Sequence, residues 1–257
     1  MTHSLAWLQH EIAQRMLTKL AFMKIQPKKI LIWPDCSTPA NQALIQRYSG
    51  ASIDSLIDSN LNALDYWRLR FSRLRQALWR GGGLVKRMAS NELVTTHFDA
   101  SSFDFIFSPL LAHRFIKPPL FIGEIQRILQ ENGLFAFAYF GPDTGKEIFH
   151  LGAKLPGAWD MHDVGDALVA ARFSDPVMDM EYLTLDYETE ATYFADAQAI
   201  GLLPEGASAE EKKTWIMPAS RKLSLEIVYG HAWVGNKQLD LQQGKEVFIS
   251  PDQIKRL

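Results

Sequence analysis

At 257 residues the chain is long enough for one large α/β domain, or a core domain with an appendage. Its 27 basic and 29 acidic residues leave a net charge of −2, which gives no electrostatic case for nucleic acid or an anionic membrane. The lone cysteine, Cys36, excludes an internal disulfide and fits a reducing compartment. No charged-then-apolar leader opens the sequence, and no apolar run reaches the roughly 20 residues a bilayer span needs. A soluble, cytoplasmic protein is expected.

Leu5, Leu8, Ile12, Met16 and Leu20 recur at helical spacing over 5–22. A basic linker containing Pro27 leads into an apolar run, Ile30 to Trp33, which reads as the first strand. The run breaks into Pro34-Asp35-Cys36-Ser37-Thr38, and a helical pattern follows from Pro39 to Tyr48. Strand, turn, helix is the opening unit of a nucleotide-binding α/β fold. Such turns use glycine so that the backbone can approach a ligand, and here Pro34, Cys36 and Thr38 stand in those places.

Ala51 to Ile57 is a second strand ending at Asp58. Leu61, Leu64, Trp67, Phe71, Leu74 and Leu78 mark an amphipathic helix, stopped by Gly81-Gly82-Gly83. Leu84 to Met88 is the third strand and Phe103 to Ser108 the fourth. A helix to about Gln130 stops at Asn132-Gly133, before a strand from Leu134 to Phe140. Alternation of strand and helix over 30–140 predicts a parallel sheet with crossover helices. Beyond it, Gly141-Pro142 breaks the strand and Asp160 to Ala171 is a short helix. Val177 to Tyr187 and Leu223 to Trp233 alternate as long strands, with a helix over Glu190 to Ile200 between them. Leu202 to Thr214 is polar and is expected to be a mobile loop. One domain over 1–257 is expected, with an N-terminal helix and linker (1–29), a nucleotide-binding-type half (30–140), a C-terminal half (141–235) and a polar tail (236–257).

Several segments resemble one family. "FGPDT" at Phe140 to Thr144, "DMHDVGDALVAARFSDPVMDMEYLTLDY" at Asp160 to Tyr187 and "EIVYGHAW" at Glu226 to Trp233 are similar to the malonyl-acyl-carrier-protein O-methyltransferases of biotin synthesis. "SFDFIFS" at Ser102 to Ser108, and "RIL" and "NGLFAF" within Arg127 to Phe137, add quieter matches. The C-terminal motifs are shared with relatives acting on a complex I subunit and are not generic to methyltransferases. The resemblance implies a class I methyltransferase (Rossmann-like) fold. This is a mostly parallel seven-stranded sheet with an antiparallel last strand and helices on both faces. It implies S-adenosylmethionine across the carboxyl ends of the first strands. It implies methyl transfer to the free carboxylate of a malonyl thioester on acyl carrier protein. That carboxylate is already ionised at neutral pH, so no strong base and no catalytic triad are expected.

On the family's first motif, an acid followed by Gly-x-Gly-x-Gly, Ile32 replaces the acid and Pro34, Cys36 and Thr38 replace the glycines. Asp35 adds a negative charge nearby. Pro34 removes a backbone N–H. Loss of two polar contacts at about 1.5 kcal/mol each weakens cofactor binding roughly a hundredfold. Asp58 lies where the family binds the ribose hydroxyls, and is equally read as a helix N-cap. Ala89 replaces an acid near the adenine. The chain begins near the family's Ala-x-x-x-Gln region, at Ala6 and Gln9, so an aromatic N-terminal lid is expected to be absent. Ser108 and Pro109, at the end of the fourth strand, complete the candidate cofactor set of Pro34, Asp35, Cys36 and Asp58.

Gly141, Pro142 and Asp143 follow a strand's carboxyl end and are candidates for the active-site mouth. From Tyr66 to Met88 there is no acid, while Arg68, Arg70, Arg73, Arg75, Arg80, Lys86 and Arg87 are basic. This stretch is either a solvated helix face or a docking face for an acidic partner such as acyl carrier protein, with Arg70, Arg73 and Arg75 its central charges. His162, Asp163, Tyr229 and His231 read as hydrogen-bonding and packing residues, because two distant histidines do not make a metal site. Cys36 reads as a small turn residue, or as a thiol near a helix N-terminus. Two functions stay open: an active methyltransferase with an unusual cofactor loop, and a catalytically silent paralogue that keeps the fold and partner surface. Arginine hydroxylation, as in the complex I relatives, would need the same cofactor loop.

Overall fold

The computed structural model describes residues 6–35, 39–58, 67, 70, 71, 74, 82–88, 98–110, 118–155, 158–204 and 206–235. Seven strands form one sheet: β1 (Lys29–Ile32), β2 (Ser52–Asp58), β3 (Gly82–Met88), β4 (Phe103–Ser108), β5 (Leu129–Phe140), β6 (Phe173–Asp186) and β7 (Lys222–Val234). Their order is β3-β2-β1-β4-β5-β7-β6. The pairs from β3 to β5 are parallel, and β7 runs antiparallel to both β5 and β6. This is the sheet of a class I methyltransferase.

Helices cover both faces. On one, α1 (Ala6–Leu20), α2 (Pro39–Arg47) and α5 (Glu190–Ile200) pack against Ile30, Ile32, Phe105 and Phe107. The other face carries α3 (Pro118–Ile128) and α4 (Met161–Ala170) against Leu31, Ile106, Phe135 and Phe137. The central strands are buried on both sides, which is why they read as continuous apolar runs. Gly230 allows the crossing, because any Cβ there would collide with the Phe137 ring. α1 is also pinned by polar contacts: Arg15 bonds Glu181 at 2.7 Å, and the Tyr229 hydroxyl donates to the same carboxylate at 2.6 Å.

Three sequence expectations need correction. α3 stops at Ile128, and β5 already begins at Leu129, with Asn132 held at φ 60° inside it. The register between β4 and β5 shifts at Phe103/Phe105 to absorb the irregularity, so Asn132-Gly133 is a kink within a strand rather than a helix stop. Gly82 and Gly83 begin β3 instead of ending the preceding helix. The polar stretch expected as a loop contains α6 (Ala209–Lys213), started by a capping box of Ser208 and Glu211. The tail beyond 235 lies outside the described residues.

Candidate active-site crevice

In an open parallel sheet a ligand crevice forms beyond the strand carboxyl ends, where chain order reverses. Here that point lies at β1, which pairs with β2 on one side and β4 on the other. The turn leaving β1 is stitched to both neighbours. The Trp33 N–H donates to the Phe107 carbonyl at 3.0 Å, and the Trp33 carbonyl accepts from the Ser108 hydroxyl. The Trp33 indole is buried, 5.3 Å from the Phe121 ring. The Asp35 N–H donates to the Leu56 carbonyl at 2.9 Å. The Asp35 side chain, 1 % exposed, turns inward: it accepts from the Ser55 hydroxyl of β2 at 2.6 Å and the Asn41 amide of α2 at 3.0 Å. His10 of α1 reaches the start of α2, where its Nδ1 accepts the Ala40 N–H at 3.2 Å.

Among the candidate cofactor residues, the N–H and carboxylate of Asp35 and the hydroxyl of Ser108 therefore bond within the fold, and Pro34 has no N–H to offer. Asp58 closes β2 at the crevice edge, and Pro109 is buried in the bend after β4. Cys36 and Thr38 lie outside the described residues. S-adenosylmethionine suits this crevice by position, and among the described turn residues neither Pro34 nor Asp35 offers it a free backbone N–H.

The β5 end forms a second polar group. Gly141 sits against Glu226 of β7, leaving no room for a Cβ beside the carboxylate. The Gly141 N–H donates to the Glu226 carbonyl at 2.9 Å, and the Asp143 N–H donates to its Oε2 at 2.7 Å. Burial pushes the Glu226 carboxyl up, partly countered by that N–H. The Tyr182 hydroxyl donates to the Asp143 carboxylate at 3.0 Å; burial and this bond push it up to about 12. Lys146 lies 4.6 Å over the Tyr182 ring. Gly141, Pro142 and Asp143 are thus brought together with Glu226 and Tyr182, neither of which was singled out from sequence. The available signal was an acid in the otherwise apolar alternation "LSLEIVYG". Tyr139, the penultimate residue of β5, is 3 % exposed, and burial raises its hydroxyl above the ordinary range.

The predicted basic helix is helical at Trp67, Arg70, Phe71 and Leu74; all four are exposed, and the Arg70 guanidinium lies 5.2 Å over the Trp67 ring. Arg73 and Arg75 lie outside the described residues. At α4, Asp160 is the N-cap and accepts the His162 N–H at 2.8 Å. Tyr229 is buried under α1, and burial holds the half-buried His231 below its ordinary range. Among the described residues no cluster of metal-ligating side chains occurs, and no helix is long and apolar enough to cross a membrane.

Comparisons with known proteins place this geometry in a family. A family model described as a methyltransferase domain matches residues 50–137. In fold the chain is similar to the YcgJ protein of Bacillus subtilis (TM-score 0.55, 14 % identity, 88 % of this chain and 99 % of that one). It is also similar to a 1,6-didemethyltoxoflavin-N1-methyltransferase of Burkholderia thailandensis solved with S-adenosylhomocysteine (TM-score 0.50, 13 % identity, 91 % and 80 %). In sequence it is 31 % identical to the malonyl-[acyl-carrier protein] O-methyltransferase of Laribacter hongkongensis, over 94 % of this chain and 88 % of that protein. The enzyme of the same name from Gallionella capsiferriformans is 32 % identical, over 89 % of this chain and 84 % of that protein. With identity of this level running through both halves of the sheet, the chain belongs to the malonyl-[acyl-carrier protein] O-methyltransferase family.

Proposed function

We propose that this chain is an S-adenosylmethionine-dependent O-methyltransferase acting on the carboxylate of a malonyl group carried on acyl carrier protein, with a weakened cofactor site. The observation that supports it most is the whole-length relation to enzymes of that name, which covers the β1–β4 crevice and the strands β5 to β7. S-adenosylmethionine, when bound, would supply an electrophilic methyl group. The nucleophile is an oxygen of an already ionised carboxylate; a new O–CH3 bond forms as the S–CH3 bond breaks, and no proton moves. The protein's contribution is to hold that oxygen in line and exclude water. Accordingly the crevice requires no general base. The exposed Trp67-Arg70-Phe71-Leu74 face, within an arginine-rich and acid-free stretch, suits docking of an acidic carrier.

One observation favours a second reading. Asp35 and Ser108 are engaged within the fold, and Pro34 lacks an N–H, which suits a silent paralogue that binds a protein partner. Calorimetric titration with S-adenosylmethionine and S-adenosylhomocysteine separates the two. Binding in the micromolar range, followed by methyl ester formation on malonyl-carrier protein, is expected for the enzyme. Neither heat nor thermal stabilisation at millimolar ligand would leave the silent paralogue.

A further inference from the structure

Tyr139 carries a hydroxyl that is buried and has no hydrogen-bond partner among the described residues. A buried hydroxyl without a partner is costly, so this atom suits a group that the described residues do not supply. Its surroundings define what that is. Tyr139 lies two residues beyond Phe137, the partner of Ser108 across β4 and β5, so it stands just past the crevice. It pairs with Val228 of β7, which puts Glu226, two residues away, on the same sheet face. Its ring is 6.5 Å from that of Trp159, and Asp160 follows Trp159 directly. The hydroxyl lies in the fields of Asp160, Glu226 and Asp163, which add to burial in keeping it neutral.

The chemistry is one neutral donor among carboxylates, flanked by flat apolar rings. A free carboxylate is repelled from such a place. An amide suits it: the carbonyl accepts from the tyrosine hydroxyl and the N–H donates to a carboxylate. A carrier-borne acyl group hangs on a phosphopantetheine arm, whose amides present this pairing. We propose that Tyr139, Trp159, Asp160 and Glu226 form a subsite for an amide of the phosphopantetheine arm. The subsite leaves the malonyl carboxylate directed away from the acids and toward the β1–β4 crevice. This inference rests on the carrier-borne substrate proposed above.

The test is binding of the full chain to fluorescently labelled acyl carrier protein in two forms, the apo form without the arm and the malonyl-holo form, with no cofactor present. The wild-type chain is expected to bind the malonyl-holo form at least tenfold more tightly than the apo form. Tyr139→Phe, which keeps the ring and its packing, is expected to reduce that advantage to threefold or less, with the apo affinity and Tm unchanged. A Phe variant that keeps the full advantage would overturn the subsite and assign the hydroxyl to a buried water only. Equal wild-type binding of both forms would overturn it as well. Binding of neither form removes the carrier as partner, a failure of the proposed function that equal binding does not produce.

Discussion

The inward orientation of Asp35 can be tested by two substitutions that differ in what they leave behind. Its carboxylate is 1 % exposed and accepts from Ser55 and Asn41, themselves 0 % and 1 % exposed. Asp35→Ala removes the acceptor used by a buried hydroxyl and a buried amide. At about 1.5–3 kcal/mol per lost hydrogen bond to a charged acceptor, less what is regained by no longer burying a charge, the expected loss is about 2–4 kcal/mol. With a urea slope of about 2–3 kcal/mol/M, the unfolding midpoint falls by about 1–2 M at unchanged slope. Asp35→Asn retains one carbonyl oxygen for Asn41, and the Ser55 hydroxyl can rotate to accept from the new amide. Its cost is therefore about 1 kcal/mol. Because the carboxylate faces β2 and α2 rather than the crevice, Asp35→Asn is also expected to leave S-adenosylmethionine affinity within twofold of wild type. Two results would refute the reasoning. An alanine variant within about 0.5 kcal/mol of wild type would mean that the carboxylate is not part of the fold's polar framework. An asparagine variant binding cofactor tenfold more tightly would mean that the charge faces the ligand.

Two further outcomes are expected. Burial raises the folded-state Glu226 carboxyl above its ordinary 4.5, so the folded protein favours the protonated form. Its stabilising contribution is complete below that ordinary value and is lost as pH rises through the raised one. Glu226→Gln, whose amide oxygen can still accept the Asp143 N–H, should match wild type near pH 4 in thermal melts and be the more stable protein at pH 8; an identical pH profile for the two proteins would contradict the assignment. Reversal of Arg70, Arg73 and Arg75 to Glu should weaken acyl carrier protein binding at least tenfold at low salt, read by fluorescence anisotropy, without altering cofactor titration. Unchanged carrier binding would remove the docking face.

The sequence by itself determined the layout. Apolar runs such as Ile30 to Trp33 and Phe103 to Ser108 are buried on both faces, and that burial demands strands whose partners are supplied by crossover helices. The order of runs and helical patterns was therefore legible, as were the helix at Glu190 to Ile200 and the family motifs of the C-terminal half. Local signals were weaker where two elements compete for the same residues. Asn132-Gly133 has the chemistry of a helix stop, yet pairing with β4 draws Leu129 into β5 and turns the same residues into a kink. The capping box at Ser208 and Glu211 holds a helix in a stretch too polar to show an apolar face. The crevice was decided only in three dimensions. The residue order places an acid at position 35, but its direction depends on Ser55 and Asn41, brought to it by β2 and α2. Tyr139 and Glu226 are 87 positions apart in the chain (226 − 139), and only the antiparallel register of β5 with β7 puts them on one face beside the turn at Gly141. A side chain's type is written in the sequence. What it faces is set by strand register and helix placement, which are properties of the whole packed sheet.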